Sequence, residues 1–188
     1  MQLLWLYWIF SYLLGNIMFG YLVTKVFFKQ DIRTGGSGNV GARNAGRLYG
    51  KKAFILTFLG DALKGAAVIL LGRYFGFSET VLLAGLALTI LGHLKPVVLG
   101  FKGGKGISAF IGGILAFEPL AAPFIVLTFG LLYPFTKSFT LAGLGSFLAV
   151  PVFLYASTYG WANSLIVIGI LGLLFLAHSE NIKERLKR

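Results

Sequence analysis

The sequence contains no cysteine, only two histidines and only six acidic residues among 188. Without cysteine there are no disulfide frameworks, no thiol nucleophiles and no thiolate metal ligands, and two histidines alone cannot complete a Cys/His zinc site. Charge is scarce as well. Only 12% of residues are charged, where a soluble domain carries about 25%. What fills the space is apolar: 57% of the chain is hydrophobic, and its mean hydropathy is +0.83. Too little polar surface is left to coat a water-soluble globule, so a soluble enzyme is excluded and the chain belongs in a bilayer. The 17 basic residues outweigh the six acids to give a net charge of +11. They cluster between apolar stretches, where they set topology or hold an anionic headgroup or substrate rather than a nucleic acid.

One domain over residues 1–188 is expected, an all-α polytopic helix bundle. A helix needs about 20 apolar residues to cross the hydrocarbon core. That criterion predicts spans near residues 3–25, 53–72, 80–99, 120–136, 140–157 and 161–177. The stretch from Gln2 to Phe28 has no basic leader and no small-residue cleavage site, so it reads as a retained span rather than a signal peptide. Residues 104–117 are shorter and predict a tilted buried helix or a re-entrant segment. Counting that segment gives seven transmembrane helices with the termini on opposite sides. With the N-terminus outside, the inner segments carry Lys29, Arg33, Arg43, Arg47, Lys51, Lys52, Lys95, Lys102, Lys105, Lys137, Lys183, Arg185, Lys187 and Arg188. The outer loops hold only Arg73, Glu79 and Glu118. This asymmetry follows the positive-inside rule and puts the C-terminus in the cytosol. No internal repeat or pair of matching broken helices of the kind found in many transporters is visible.

Three inner segments are more elaborate than connectors need to be. From Thr34 to Arg47 the chain reads TGGSGNVGARNAGR. Its glycines, including Gly36, Gly38 and Gly41, let backbone N–H groups turn toward an anion. Ser37, Asn39 and Asn44 add neutral donors, and Arg43 and Arg47 add planar forks suited to phosphate. A flexible linker with topology-setting arginines is the plainer alternative. The second segment joins Gly92-His93-Leu94-Lys95-Pro96 to Gly100-Phe101-Lys102-Gly103-Gly104-Lys105-Gly106-Ile107-Ser108. Two lysines among glycines before a helix suggest a phosphate cradle at its N-terminus. It is not a Walker A loop, because Leu99 stands where the first glycine belongs and Gly106 follows Lys105. A basic loop ended by Pro96, with His93 in a structural role, is the alternative. The third is His178-Ser179-Glu180-Asn181, where His178 and Asn181 share one face of a continuing helix. Asp61 and Lys64, at i,i+3 within an apolar span, read as a mutually neutralising structural pair, with a direct substrate role as the alternative. No paired-histidine metal motif, Ser-His-Asp set or Asp-rich magnesium motif occurs, and no acid follows either histidine at the spacing of a His–Asp acyltransferase pair.

Taken in order, Gly36 to Asn44, Asp61 to Gly65, Gly92 to Gly106 and His178 to Ile182 resemble the bacterial PlsY-type glycerol-3-phosphate acyltransferases over essentially the whole chain. The resemblance implies an enzyme of the bacterial cytoplasmic (inner) membrane with its active site facing the cytosol. It would move a fatty acyl group from acyl phosphate to the 1-hydroxyl of glycerol 3-phosphate, giving lysophosphatidic acid and phosphate for phospholipid biosynthesis. An acyl phosphate is already activated, so such a site must mainly gather two anions and stabilise developing negative charge. On that expectation Ser37, Asn39, Gly41 and Asn44 shape a nest for the donor phosphate. Lys105, Arg47, His178 and Asn181 grip the acceptor, and Lys102 adds to the field. Ser37, Lys105, His178 and Asn181 are the candidate catalytic residues; Gly36, Gly38, Arg43, His93, Gly103, Gly104 and Thr140 complete the candidate substrate-binding set. Either His178 or a substrate phosphate oxygen takes the hydroxyl proton. No metal or organic cofactor is required, membrane lipids and the two substrates are the expected partners, and a monomer is the expected state. Two positions depart from the family pattern: Arg43 stands where threonine is usual, and Thr140-Leu-Ala-Gly143 replaces a Ser-x-x-Ser pattern. The competing reading is a small anion transporter or channel with a basic cytoplasmic mouth, which would need charged groups near mid-membrane and a path to the far side.

Overall fold

A computed structural model describes residues 1–187; Arg188, counted above with the basic inner residues, lies outside the described residues. The described chain is helical throughout: α1 (Gln2–Gly15), α2 (Phe19–Phe28), α3 (Ala42–Tyr74), α4 (Glu79–Leu94), α5 (Ile107–Phe117), α6 (Ala121–Thr136), α7 (Phe139–Ser146), α8 (Ala149–Ala156), α9 (Gly160–Ala177) and α10 (Ser179–Leu186). Short 3-10 turns at Ile32–Thr34 and Val97–Leu99 punctuate the two glycine-rich segments.

Length and hydropathy qualify Ala42–Tyr74, Glu79–Leu99, Phe139–Ala156 and Gly160–Ala177 as membrane-crossing helices, and α1 with α2 as a fifth span bent by 42°. The expected uniform span at residues 3–25 is therefore a broken one. Residues 140–157 are interrupted between α7 and α8, and the 53–72 span extends back only to a break at Gly50, beyond which a separate helical stretch runs from Ala42. Gly50, with φ 81 and ψ −176, kinks the long α3 near that early end. The 11 residues of α5 cover about 16 Å, roughly half the hydrocarbon thickness, which agrees with the short buried segment expected there.

The break between α1 and α2 has a cause in α3. Lys64 Nζ donates to the carbonyls of Gly15 (3.0 Å) and Ile17 (2.7 Å), the backbone groups left over where α1 stops. It also contacts Asp61 Oδ1 at 3.0 Å, and the Asp61 carboxylate lies near the Phe19 N–H at the start of α2. The cation thus meets the negative end of α1 and the anion meets the positive end of α2. Both side chains are buried, at 1% and 2% exposure. In hydrocarbon every freed backbone group needs a partner inside the protein, and this pair supplies it. The i,i+3 pair read from the sequence serves as the plug of a helix break.

The helices approach through small residues, as membrane helices do where no hydrophobic drive separates protein from lipid. Along the α3–α5 seam, a methyl added to Gly65 would run into the Ala109 carbonyl oxygen, and one on Gly112 into that of Ala62. Between α1 and α4, Thr89 Oγ1 donates to Ser11 O at 3.0 Å. At the other end of the bundle Arg73 closes α5, donating to the carbonyls of Ala116 (2.8 Å) and Phe117 (2.5 Å). By contrast α6 buries only Ala121 and turns Val126, Leu127 and Leu131 outward. Gly112→Ala is expected to destabilise the bundle by about 1–3 kcal/mol through overpacking. Gly169→Ala, where an added methyl meets nothing within 4 Å, should be neutral. Thermal unfolding of both variants in the same detergent checks the contrast.

Candidate active site

The glycine-rich segments meet on one cavity of about 560 Å³. At its polar end lies the start of α3. Gly36 and Gly38 adopt φ of 58 and 68, which lets the loop fold back on itself. Asn44 fastens that loop: its Oδ1 accepts from the Ser37 N–H (3.1 Å), and its Nδ2 donates to the carbonyls of Gly35 (3.1 Å) and Ile32 (3.4 Å). Asn44 is 2% exposed, so its amide is engaged within the loop rather than turned to the cavity. Asn39, Gly41, Ala42 and Arg43 line the cavity directly. Gly41 is the N-cap of α3 and supplies no side-chain cap, so the first N–H groups of that helix are available to a ligand.

A second helix start faces the same space. Lys105, Gly106, Ile107 and Ser108 line the cavity at the beginning of α5, where Gly106 turns the chain at φ 81 and again gives no side-chain cap. Two helix N-termini, each with free donors and the positive end of its dipole, therefore open on one cavity.

The third contribution comes from the end of α9. His178 lines the cavity, and its Nδ1 donates to the Leu174 carbonyl at 2.8 Å. A carbonyl can only accept, so Nδ1 carries the proton and Nε2 keeps its lone pair in the neutral ring. Burial lowers the His178 pKa from 6.5; the Leu174 carbonyl opposes this, while Lys105 and Arg43 add to it. One turn on, Asn181 Oδ1 accepts a hydrogen bond from Lys105 Nζ. Burial also lowers the Lys105 pKa below its usual value, against the pull of Glu180 and Glu184. Arg43 Nη1 donates to Thr140 Oγ1 at 2.7 Å and so ties the start of α3 to α7. Arg47 and Arg185 lie close enough to act electrostatically on Arg43, which acts in turn on Lys105.

Away from these charges the cavity turns apolar, lined by Phe54 and Phe58 of α3, Ile111 of α5, Ile125 and Phe129 of α6, and Phe139 and Leu144 of α7. At Gly143, also in the lining, an added methyl would meet nothing within 4 Å. Of the residues nominated from the sequence, Asn39, Gly41, Arg43, His93, Lys105, Thr140 and His178 line the cavity. Asn181 reaches it through Lys105. Gly36, Ser37, Gly38 and Asn44 form the loop behind it, and Arg47 and Lys102 are exposed beyond the lining. Gly103 and Gly104 pack instead against His93 and Pro96. Sequence reasoning gave no role to Ser108 or to the phenylalanines. Ser108 could have been found as the hydroxyl in the first turn of α5, but the apolar lining carries no motif.

A family model described as glycerol-3-phosphate acyltransferase matches residues 5–188. "Glycerol-3-phosphate acyltransferase 1" of Bacillus cereus is 47% identical over 176 residues, covering 93% of this chain and 96% of that protein. The protein of the same description from Desulfitobacterium hafniense is 40% identical over 180 residues, covering 95% and 88%. The crystal structure of PlsY (YgiH), an integral membrane glycerol 3-phosphate acyltransferase, in its glycerol 3-phosphate form superposes with a TM-score of 0.88 at 36% identity, covering 98% of this chain and 92% of that one. Its lysophosphatidic acid form gives 0.86 at 35% identity, with the same coverage. With a family model matched over residues 5–188 and relatives 40–47% identical over more than nine-tenths of its length, the chain belongs to the glycerol-3-phosphate acyltransferase family.

Proposed function

We propose that this protein transfers a fatty acyl group from acyl phosphate to the 1-hydroxyl of glycerol 3-phosphate in a bacterial cytoplasmic membrane, releasing lysophosphatidic acid and phosphate. The observation that carries this reading is the single cavity that runs from two cation-flanked helix N-termini into an aromatic and aliphatic pocket. One end suits phosphates and the other an acyl chain. The solved relatives named above in glycerol 3-phosphate and lysophosphatidic acid forms support the acceptor and the product.

The donor phosphate would rest on the Ser37–Gly41 loop and the first N–H groups of α3, with Arg43 beside it. Glycerol 3-phosphate would be held by Lys105, Arg47 and Asn181, with Lys102 adding to the field and His178 at the reacting hydroxyl. Bringing two anions together is the main cost, and clustered cations and preorganised N–H groups offset it. As the hydroxyl oxygen attacks the acyl carbon, the C–O bond to phosphate breaks. The proton lost by the hydroxyl equals the one taken up by the departing phosphate, so the reaction needs no net base. His178 Nε2, fixed by the bond from Nδ1 to Leu174 O, is placed to take that proton and pass it on. Direct uptake by a phosphate oxygen is the second reading, favoured because burial makes the imidazole a weaker base.

The same proposal includes seven crossings, with α5 and α6 as short ones, the N-terminus outside, a cytosolic active site and a monomer that takes its donor laterally from the bilayer. The basic residues Lys29, Lys51, Lys52, Lys102 and Lys183 support this orientation, all lying on the segments assigned to the cytosol. Since the chain has no cysteine, single substitutions report sidedness cleanly. In intact cells Glu79→Cys should react with an impermeant maleimide, and Lys29→Cys should react only after lysis.

Lys105→Ala is expected to raise the KM for glycerol 3-phosphate roughly ten- to hundredfold, the worth of a lost charge-assisted hydrogen bond, with a small effect on the donor. His178→Ala should lower kcat by about 10²–10⁴ if the imidazole handles the proton, whereas full turnover would leave that task to phosphate. Because burial lowers the His178 pKa, the ring stays neutral at pH 7. The His178-dependent part of the rate should therefore hold level through neutrality and fall only at pH values below the ordinary 6.5. A pH profile of kcat for the wild type and His178→Ala measures it.

A further inference from the structure

Lys105 stands on a loop that would have little reason to hold still. It follows two glycines and precedes Gly106, and neither Gly103 nor Gly104 has a side chain to anchor. The structure nevertheless fixes this backbone from one side. The Gly104 N–H donates to the His93 carbonyl at 3.0 Å. The His93 ring lies directly on Gly104, so that a methyl there would run into Nε2, and a methyl on Gly103 would run into the His93 carbonyl oxygen. These glycines are therefore explained by contact with His93, without invoking a phosphate.

His93 is in turn seated on the plug of the broken first span. It is 2% exposed, and its Nδ1 has no hydrogen-bond partner; Asp61 Oδ1 lies 3.6 Å away. Asp61 is paired with Lys64, and Lys64 is held by the Gly15 and Ile17 carbonyls. The same end of α1 grips the loop from its other side. Tyr12 donates its hydroxyl proton to the Lys95 carbonyl (2.9 Å), and Asn16 Oδ1 accepts from the Val97 N–H (2.6 Å). The buried route from the ion pair to the residue before Lys105 thus runs through the packing of Asp61 against His93 and of the His93 ring against Gly104.

We propose that the Asp61–Lys64 pair and His93 are positioning residues for Lys105: they hold the Gly103–Gly104 backbone so that the lysine ammonium is aimed at the phosphate of the acceptor. This rests on the reading that Lys105 binds glycerol 3-phosphate. It gives His93 a task in addition to its place in the cavity lining, and it gives the buried ion pair one beyond closing the helix break. The effect should be specific to the acceptor, because the loop that faces the donor, Gly36 to Gly41, is held separately by Asn44.

Steady-state kinetics in detergent or lipid, varying glycerol 3-phosphate and acyl phosphate in turn, test it with His93→Ala, Lys105→Ala and the double variant. The expected result is a KM for glycerol 3-phosphate raised about tenfold in His93→Ala, as a misplaced binding group predicts. The KM for acyl phosphate should stay near wild type, and the double variant should be no worse than Lys105→Ala alone. Additive effects in the double variant, or a His93→Ala protein that loses kcat and both affinities together, would overturn the positioning role while leaving Lys105 in place. An unchanged KM in Lys105→Ala would instead overturn the acceptor assignment itself. Gly104→Ala gives an independent approach from the loop side. Its methyl meets the His93 ring, so it should raise the same KM, and the Gly104→Ala/Lys105→Ala pair should be no worse than Lys105→Ala alone. An unchanged KM in a folded Gly104→Ala protein, or additive effects in that pair, would count against the inference.

Discussion

A charge or an unpaired backbone group costs free energy in hydrocarbon, and this protein is organised around where it accepts that cost. In the body of the bundle the cost is cancelled locally. Lys64 pairs with Asp61 and satisfies the carbonyls of Gly15 and Ile17 at the end of α1, so that a span can bend by 42° with those backbone groups partnered. At the cavity the cost is left standing. Arg43, Lys105 and His178 converge there, with Arg47 and Arg185 acting on Arg43 from beyond the lining and Glu180 and Glu184 the acids that act on Lys105. The Asp61 carboxylate also lines the cavity but is paired with Lys64, so the Arg43 and Lys105 cations beside two uncapped helix starts leave a field that an anion completes.

That division separates stability from function without separating their residues in sequence. Asp61 and Lys64 sit one turn apart on α3, whose N-terminus opens the active cavity and whose middle packs against α5 through Gly65. The apolar arm is built differently: α6 buries little of itself and faces the cavity with Ile125 and Phe129. A rigid polar end and a loosely packed apolar end suit a reaction in which the headgroups must register but the chain only needs to lie down.

Much of this was legible in the sequence. Hydropathy located the helices because lipid demands long apolar runs. The glycine–asparagine–arginine segments stood out because a connector does not need them, and their order along the chain pointed to the family. Continuity was not legible: nothing in residues 3–25 marks the break at Asn16–Met18, since its cause lies near fifty residues away at Lys64. The local partners of Asn44, Gly103 and Gly104 were not legible from the motifs alone. An amide or a glycine beside a phosphate-like motif can serve the ligand or the loop, and only the partners of Asn44 and the ring of His93 decide which. The orienting partner of His178 was invisible for a related reason. It is the Leu174 backbone carbonyl, and any residue type could have supplied it.

The central claim is that this cavity joins an acyl phosphate to glycerol 3-phosphate. The most direct measurement is phosphate release by the purified protein in lipid or detergent, supplied with acyl phosphate, with and without glycerol 3-phosphate, and with acyl-CoA as control donor. Release should require the acceptor, match the lysophosphatidic acid formed mole for mole, and not occur with acyl-CoA. Folded protein that releases no acceptor-dependent phosphate, or that acylates the acceptor only from acyl-CoA, would contradict it.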